Sequence, residues 1–210
     1  MDTRLVAWAR AVKARSTRVA AQKLGLRSGW GPATTPPLWL FTDAARLPDP
    51  VAAACRLPKG LCGIVLRHDH DRHRAALGQA LARICRQRRL SLVVAGDWRL
   101  ARSLRAGLHL RAGRWPAHAP PRWKLITSSA HHIMDVRRAD RHGATLAFLS
   151  PVLVSASHPG ASGLGLLRWA GGARYVGHGV AALGGIDGMS AKRLPKRWAA
   201  GAGAISSLKP

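Results

Sequence analysis

At 210 residues and 47% hydrophobic content the chain is long enough for one good-sized core, and no stretch approaches the roughly 18 uninterrupted apolar residues of a membrane span. Cys55, Cys62 and Cys85 are odd in number and lack CxxC spacing, which predicts reduced thiols in a cytoplasmic protein and argues against a disulfide framework or a zinc site. The net charge of +25 invites nucleic acid, but the bases are spread along the chain without an aromatic-basic RNA-binding motif or zinc-finger spacing, so no specific nucleic-acid partner is expected and phosphorylated small molecules fit the charge instead.

Residues 4–24 place Leu5, Trp8, Val12 and Val19 at near-helical spacing among Arg and Lys, which predicts a basic helix. This segment lacks the compact apolar stretch and small-residue cleavage site of a secretory signal. "GWGPATTPP" breaks the helix and reads as a linker, so residues 1–35 are expected to precede a domain spanning 36–210. "LWLFTD" (38–43) is a short apolar strand ending in Asp, and a short helix follows at 50–56. "GIVLRHDHD" (63–71) repeats the pattern of apolar strand and polar tip. A helix from about Arg72 to Arg88 leads to "LSLVVAGD" (90–97).

Residues 98–105 suit a short helix, "AGLHL" a strand, and "KLITSSAHH" (124–132) a strand with a hydroxyl-rich end. A helix near 134–142, the strand in "ATLAFLSPV" (144–152) and a helix near 164–171 come next. The chain then offers a strand within 174–187, a helix near 190–199, and a last strand in "GAGAISSLKP". Eight strand candidates separated mostly by helices are the signature of parallel βα units. A closed (β/α)8 TIM barrel fits count and length. An open doubly wound sheet fits less well, since no glycine-rich phosphate turn follows the first strand. The last strand is expected to finish near Leu208, leaving no residues for an eighth outer helix. The N-terminal helix is therefore expected to lay Leu5, Trp8, Val12 and Val19 over that gap, the alternative being a basic tail that touches acidic membrane surfaces.

In such a barrel the reactive groups gather at the C-terminal strand ends. Those ends hold Asp43, Arg67, Asp97, His109, Ser129, His131, Ser155, Ser157, Gly184, Gly185 and Ser206. Small and hydroxyl-bearing residues crowd the late strands, where barrels usually bind phosphate.

"LWLFTD", "VLRH", "AGD", "GLHL", "SSAHH", "LSPV…SASHPG", "ALGGI" and "GAGAIS" occur in this order. Together they resemble the thiamine phosphate synthase and TenI-like family of (β/α)8 barrels over roughly residues 36–208. The resemblance implies a transferase that joins an aminopyrimidine diphosphate to a thiazole phosphate and releases pyrophosphate, with Mg2+ holding the diphosphate. It implies that Arg67 binds that diphosphate, that Asp97 holds the metal, and that Ser129 lies near the pyrimidine partner with His131 beside it. Ser155, Ser157 and His158 fall on the thiazole-phosphate loop, Gly184 and Gly185 on the glycine pair after strand seven, and Ser206 among the last phosphate donors.

The chain also departs from the family's pattern. Val65 stands for a Gln, Asp69 for a Lys, Gly96 for an Asn, His158 for the Lys of the thiazole loop, and Arg114 for the second magnesium carboxylate. An Arg can neutralise a phosphate but cannot coordinate a metal. Two further readings stay open: a thiazole tautomerase using His131 as acid or base, and a barrel that binds a phosphorylated ligand without turnover.

"HDHDRH" (68–73) carries metal-ligand residue types, but neighbours on a strand point in alternating directions, so a solvated loop with an Asp69 or Asp71 helix cap is expected. The eight tryptophans are dispersed and read as packing residues, with Trp98 and Trp115 open to stacking on a substrate. A homo-oligomer is compatible with the sequence.

Overall fold

In a computed structural model, residues 1–23, 35–69, 71–154, 162–174, 176 and 179–209 are described. Eight parallel strands close into a barrel in chain order: β1 (Leu38–Phe41), β2 (Cys62–Leu66), β3 (Ser91–Ala95), β4 (Gly107–Leu110), β5 (Ile126–Ala130), β6 (Leu146–Leu149), β7 (Gly179–Leu183) and β8 (Ala199–Ala204). The closing seam pairs Leu38 with Ala202 and Leu40 with Ala204. Almost every strand residue is buried, as expected for a parallel sheet covered on both faces.

Among the described residues seven α-helices lie outside: α1 (Thr3–Lys23), α2 (Pro50–Arg56), α3 (Arg74–Arg88), α4 (Trp98–Ser103), α5 (Ile133–Arg141), α6 (Gly165–Ala173) and α7 (Gly188–Ala191). Their starts are coded locally. Asp49 accepts from the Ala52 N–H with Pro50 opening α2, and Asp97 accepts from the Leu100 N–H to cap α4. Between β4 and β5 the chain makes a bridge of Arg111 with Arg114 and turns instead of a helix.

Alternation along each strand divides the core in two. Outward residues such as Leu40, Ile64, Leu66 and Val94 pack under the helices, whereas Trp39, Phe41, Val65, Val93, Leu146, Phe148 and Ala181 fill the barrel. The aromatic strand β1 dictates small neighbours. Trp39 pairs in register with Gly63 on β2 and Gly203 on β8. A Cβ on Gly63 would sit 2.4 Å from the Trp39 ring, and one on Gly203 would sit 2.7 Å from Phe41. Trp39 and Phe41 each meet Phe148 edge-to-face, at 5.6 and 4.9 Å between centroids, a geometry worth about 0.5–1.5 kcal/mol per pair beyond area burial.

The basic N-terminal helix covers the outside of β8 and packs on α7. Leu5, Val6, Ala9 and Val12 are buried there and Trp8 packs beside them, while Val19, on the same predicted face, is 48% exposed. Asp2 fixes one end. Its carboxylate accepts from the N–H groups of Gly188, Arg4 and Leu5, and its own N–H donates to the Ser207 carbonyl. Burial works against the Asp2 charge, but those three donors together outweigh it and lower its pKa. Further along, Lys13 reaches the Gly60 carbonyl and Arg15 the Ala199 carbonyl. Asp2 thus sits where β7 and β8 end and Lys13 and Arg15 sit where β2 and β8 begin, so α1 runs antiparallel to β8 in the place of an eighth barrel helix.

Two expected boundaries change. The helix near 190–199 is only Gly188–Ala191; it starts two residues earlier, after the Asp187 cap, and Pro195, which has no N–H to donate, precludes its continuation. Strand β8 ends at Ala204, and Ser206–Leu208 form a 3-10 turn. No described helix is long and apolar enough to cross a membrane.

Candidate active site

The C-terminal strand ends surround a cavity of about 750 Å³. Its floor is Phe41 and His109. His109 is 2% exposed, with Nδ1 at 2.8 Å from the Thr127 hydroxyl and its ring edge-on to Phe41 at 5.8 Å. Burial first, then the nearby Arg67 and Arg111 charges, push its pKa down to about 3. The floor is therefore an uncharged ring at neutral pH.

Cations dominate one side, above β1, β2 and β4. Arg46, Arg67 and Arg111 all line the cavity there. Arg46 holds Asp43 at 2.7 Å, and that hydrogen bond is the main reason why the Asp43 carboxyl is lowered to about 2. Arg67 follows β2, where its N–H donates to the Thr42 hydroxyl at 2.9 Å.

Across the mouth, the ends of β7 and β8 bring small residues. Gly184, Gly185 and Ser206 line this side. Gly184 and Gly185 have φ of +91° and +67°, and Cβ atoms there would press on Pro151 and Leu153 at 2.9 and 2.8 Å. Only glycine fits both the backbone and the space.

His131 and Ser129 line the mouth from β5 and its end. The His131 Nδ1 is 3.2 Å from the Ser150 carbonyl, which can only accept, so Nδ1 carries a proton and Nε2 is the acceptor in the neutral ring. Asp135 accepts from the His131 N–H at 3.0 Å and pairs with Arg138, which in turn donates to the Ala112 carbonyl at 2.6 Å. The Ser129 hydroxyl accepts from the Ala112 N–H at 3.2 Å, and the Ser128 hydroxyl accepts from Gly113 at 2.9 Å. The turn after β4 is thus bolted to β5.

Of the residues singled out by sequence, the structure brings Arg67, Ser129, His131, Gly184, Gly185 and Ser206 to one cavity. Ser155, Ser157 and His158 lie outside the described residues. Asp97, expected to hold a metal, does not line the mouth. It caps α4 through Oδ1, at 3.0 Å from the Leu100 N–H, and opens onto a shallow groove with Trp98 and Pro116. Trp98 and Trp115 do not line the mouth either.

The residues do not fit a magnesium ion. Mg2+ needs hard oxygen ligands in octahedral array. The Asp97 Oδ2 faces Arg74 at 3.8 Å, and Asp69, the next acid, is taken by Arg111 at 2.5 Å and Arg74 at 3.4 Å. The expected second carboxylate is Arg114. A guanidinium stands between the two carboxylates that would have to share the ion. In "HDHDRH", His68 is buried against Thr42 and Asp71 accepts from the His73 N–H at 2.7 Å, and no metal-sized cluster of His, Cys or Asp occurs among the described residues.

Sequence reasoning missed Arg111, Arg46 and Asp135. Arg111 directly follows the last residue of β4, a strand-end position like the others, but its neighbour Arg114 drew attention through its alignment with a family carboxylate. Arg46 and Asp135 act through i,i+3 contacts, which residue type alone does not signal.

Residues 41–208 match the family described as thiamine monophosphate synthase. A protein of Aquifex aeolicus (strain VF5), "Putative thiamine-phosphate synthase 2", is 28% identical over 156 residues, covering 71% of this chain and 84% of that one. Among solved structures, thiamine phosphate pyrophosphorylase from Pyrococcus furiosus superposes with a TM-score of 0.67 at 23% identity, over 80% of this chain and 85% of that one. The corresponding protein of Bacteroides thetaiotaomicron gives 0.53 at 16% identity, over 82% and 84%. The family match runs from the last residue of β1 to the turn after β8, taking in strands β2 to β8, and on it the chain belongs to the thiamine monophosphate synthase and TenI family.

Proposed function

We propose that this protein is a thiamine phosphate synthase-like transferase that joins an aminopyrimidine diphosphate to a thiazole phosphate and releases pyrophosphate. One observation carries the reading: the mouth has two anion-suited ends of different chemistry above one uncharged aromatic floor. Arg67 and Arg111 lie at one end, and Gly184, Gly185 and Ser206 at the other. Two phosphorylated substrates need two such ends, and a flat heteroaromatic ring suits the Phe41 and His109 floor between them.

In this reading the pyrimidine carbon–oxygen bond breaks with its electron pair leaving on the diphosphate. The thiazole nitrogen then gives its lone pair to the exposed carbon. Arg67 donates to the diphosphate oxygens on which charge develops, where donors fixed in advance lower the barrier most. Backbone N–H groups after β7 and the Ser206 hydroxyl hold the thiazole phosphate, with Ser155, Ser157 and His158 assigned to the same end by the resemblance.

A second reading rests on His131. With Nδ1 committed to the Ser150 carbonyl, its Nε2 is an acceptor suited to moving a proton on a bound thiazole, as tautomerisation requires. Substitution separates the two. Arg67→Ala should abolish formation of thiamine phosphate and spare any proton exchange on the thiazole, and His131→Asn should do the reverse. Loss of neither activity in Arg67→Ala removes the transferase reading.

A further inference from the structure

The cationic side of the mouth is built around Arg111. The turn that carries it is rigid: Ala112 and Gly113 have φ of +48° and +70°, and their N–H groups donate to Ser129 and Ser128. A Cβ on Gly113 would lie 2.6 Å from the Asp135 carbonyl, so this position admits glycine alone. The Arg111 side chain lies back over Gly96, where a Cβ would come within 2.8 Å of its Nε. Asp69 grips the guanidinium at 2.5 Å, while 55% of the Arg111 side chain stays exposed. Asp69 is itself braced by Arg74, which donates to the Ala95 carbonyl at 2.6 Å. The result is a guanidinium held from behind and open in front, at the end of the cavity that Arg67 also lines.

Charge bookkeeping points the same way. In the ion pairs at the ends of β1–β4, Arg46, Arg74 and Arg111 face Asp43, Asp69 and Asp97, and Arg67 lines the cavity beside them. Each of these three carboxylates already has an arginine within ion-pair distance, and Arg67 enters none of these pairs. A divalent cation entering here meets repulsion and no free carboxylate pair. An anion meets two planar forks suited to bidentate phosphate binding.

We infer that Arg111 and Arg67 form a diphosphate clamp that works without a metal ion, with Asp69 and Gly96 positioning Arg111. The inference rests on the reading above only in assigning a diphosphate to this end. It names the ligand class, a diphosphate monoester or free pyrophosphate, and assigns to Arg111 the neutralising charge that a divalent cation would otherwise supply.

Calorimetry with inorganic pyrophosphate in EDTA tests it. The native protein should bind, Arg111→Gln should weaken binding at least tenfold, and Arg111→Lys should recover only part, because a point charge lacks the fork. Arg141→Gln, which removes an exposed charge at the end of α5, should change little and controls for the overall positive charge. Circular dichroism melts establish that each variant folds. Pyrophosphate binding that appears only on adding Mg2+, or an Arg141→Gln effect as large as that of Arg111→Gln, overturns the inference. The two proposals fail separately. Metal-free binding through Arg111 with no thiamine phosphate formed keeps the clamp and removes the transferase. Product formed only with Mg2+ does the opposite.

Discussion

Replacing Leu5 by Ala tests whether the N-terminal helix is part of the barrel. Leu5 is 0% exposed and belongs to the same buried cluster as β1, β8 and α7, although it lies more than 30 residues before the first strand. Truncating a fully buried Leu removes its transfer free energy and leaves a cavity, together about 2–5 kcal/mol. Each kcal/mol shifts the midpoint of a domain of this size by roughly 2–4 °C, so Leu5→Ala should melt roughly 4–20 °C lower. Val19→Ala is the internal control: the side chain is 48% exposed, and a surface change of this kind stays within about 0.5 kcal/mol. Gly188→Ala gives an independent wedge, since its Cβ would lie 2.4 Å from the Arg4 Cβ. Thermal melts of the three variants decide the matter. If Leu5→Ala and Gly188→Ala melt with Val19→Ala, α1 does not cover β8 in solution and the account of the fold's closure is wrong.

Gly63→Ala should cost about 1–3 kcal/mol by overpacking against Trp39, and Trp39→Leu should relieve part of it; additive costs in a double-mutant cycle by urea denaturation would show that the two do not touch. His109 is held near a pKa of 3 against an ordinary value of 6.5, so between these pH values the unfolded chain binds more protons and stability falls as pH is lowered. His109→Gln should flatten that acid limb above pH 4, and an unchanged slope would contradict the buried neutral ring. Burial raises the thiols of Cys62 and Cys85 to about 12, whereas Cys55 is exposed. A thiol reagent should therefore titrate one cysteine in the folded protein and all three after denaturation, and fast reaction of a second native thiol would refute the packing.

The strands were legible because a parallel barrel buries both faces, so each strand reads as an unbroken apolar run such as "LWLF" or "GIVL" closing on a polar residue. Short helices with a local cap were legible for a different, local reason: an Asp just ahead of the first turn, as at Asp49 and Asp97, caps α2 and α4. The length of α7 was not, because Asp187 and Pro195 outweigh the helix-forming residues that follow. That Arg67, Ser129, His131, Gly184, Gly185 and Ser206 line one cavity was legible from their position at strand ends, a property of sequence order. Whether Asp97 binds a metal or caps a helix was not legible. Both roles ask for the same residue at the same place, and only the Leu100 N–H and the Arg74 charge separate them. The Arg111–Asp69 pair joins residues more than 40 positions apart, and no periodicity carries such a contact.

The most direct test of the central claim is to mix the purified protein with an aminopyrimidine diphosphate and a thiazole phosphate and to follow thiamine phosphate and pyrophosphate together. The account predicts that both accumulate one for one and that Arg67→Ala, while still folded, forms neither. Measurable binding of thiazole phosphate with neither product appearing, in EDTA or with added Mg2+, would contradict it.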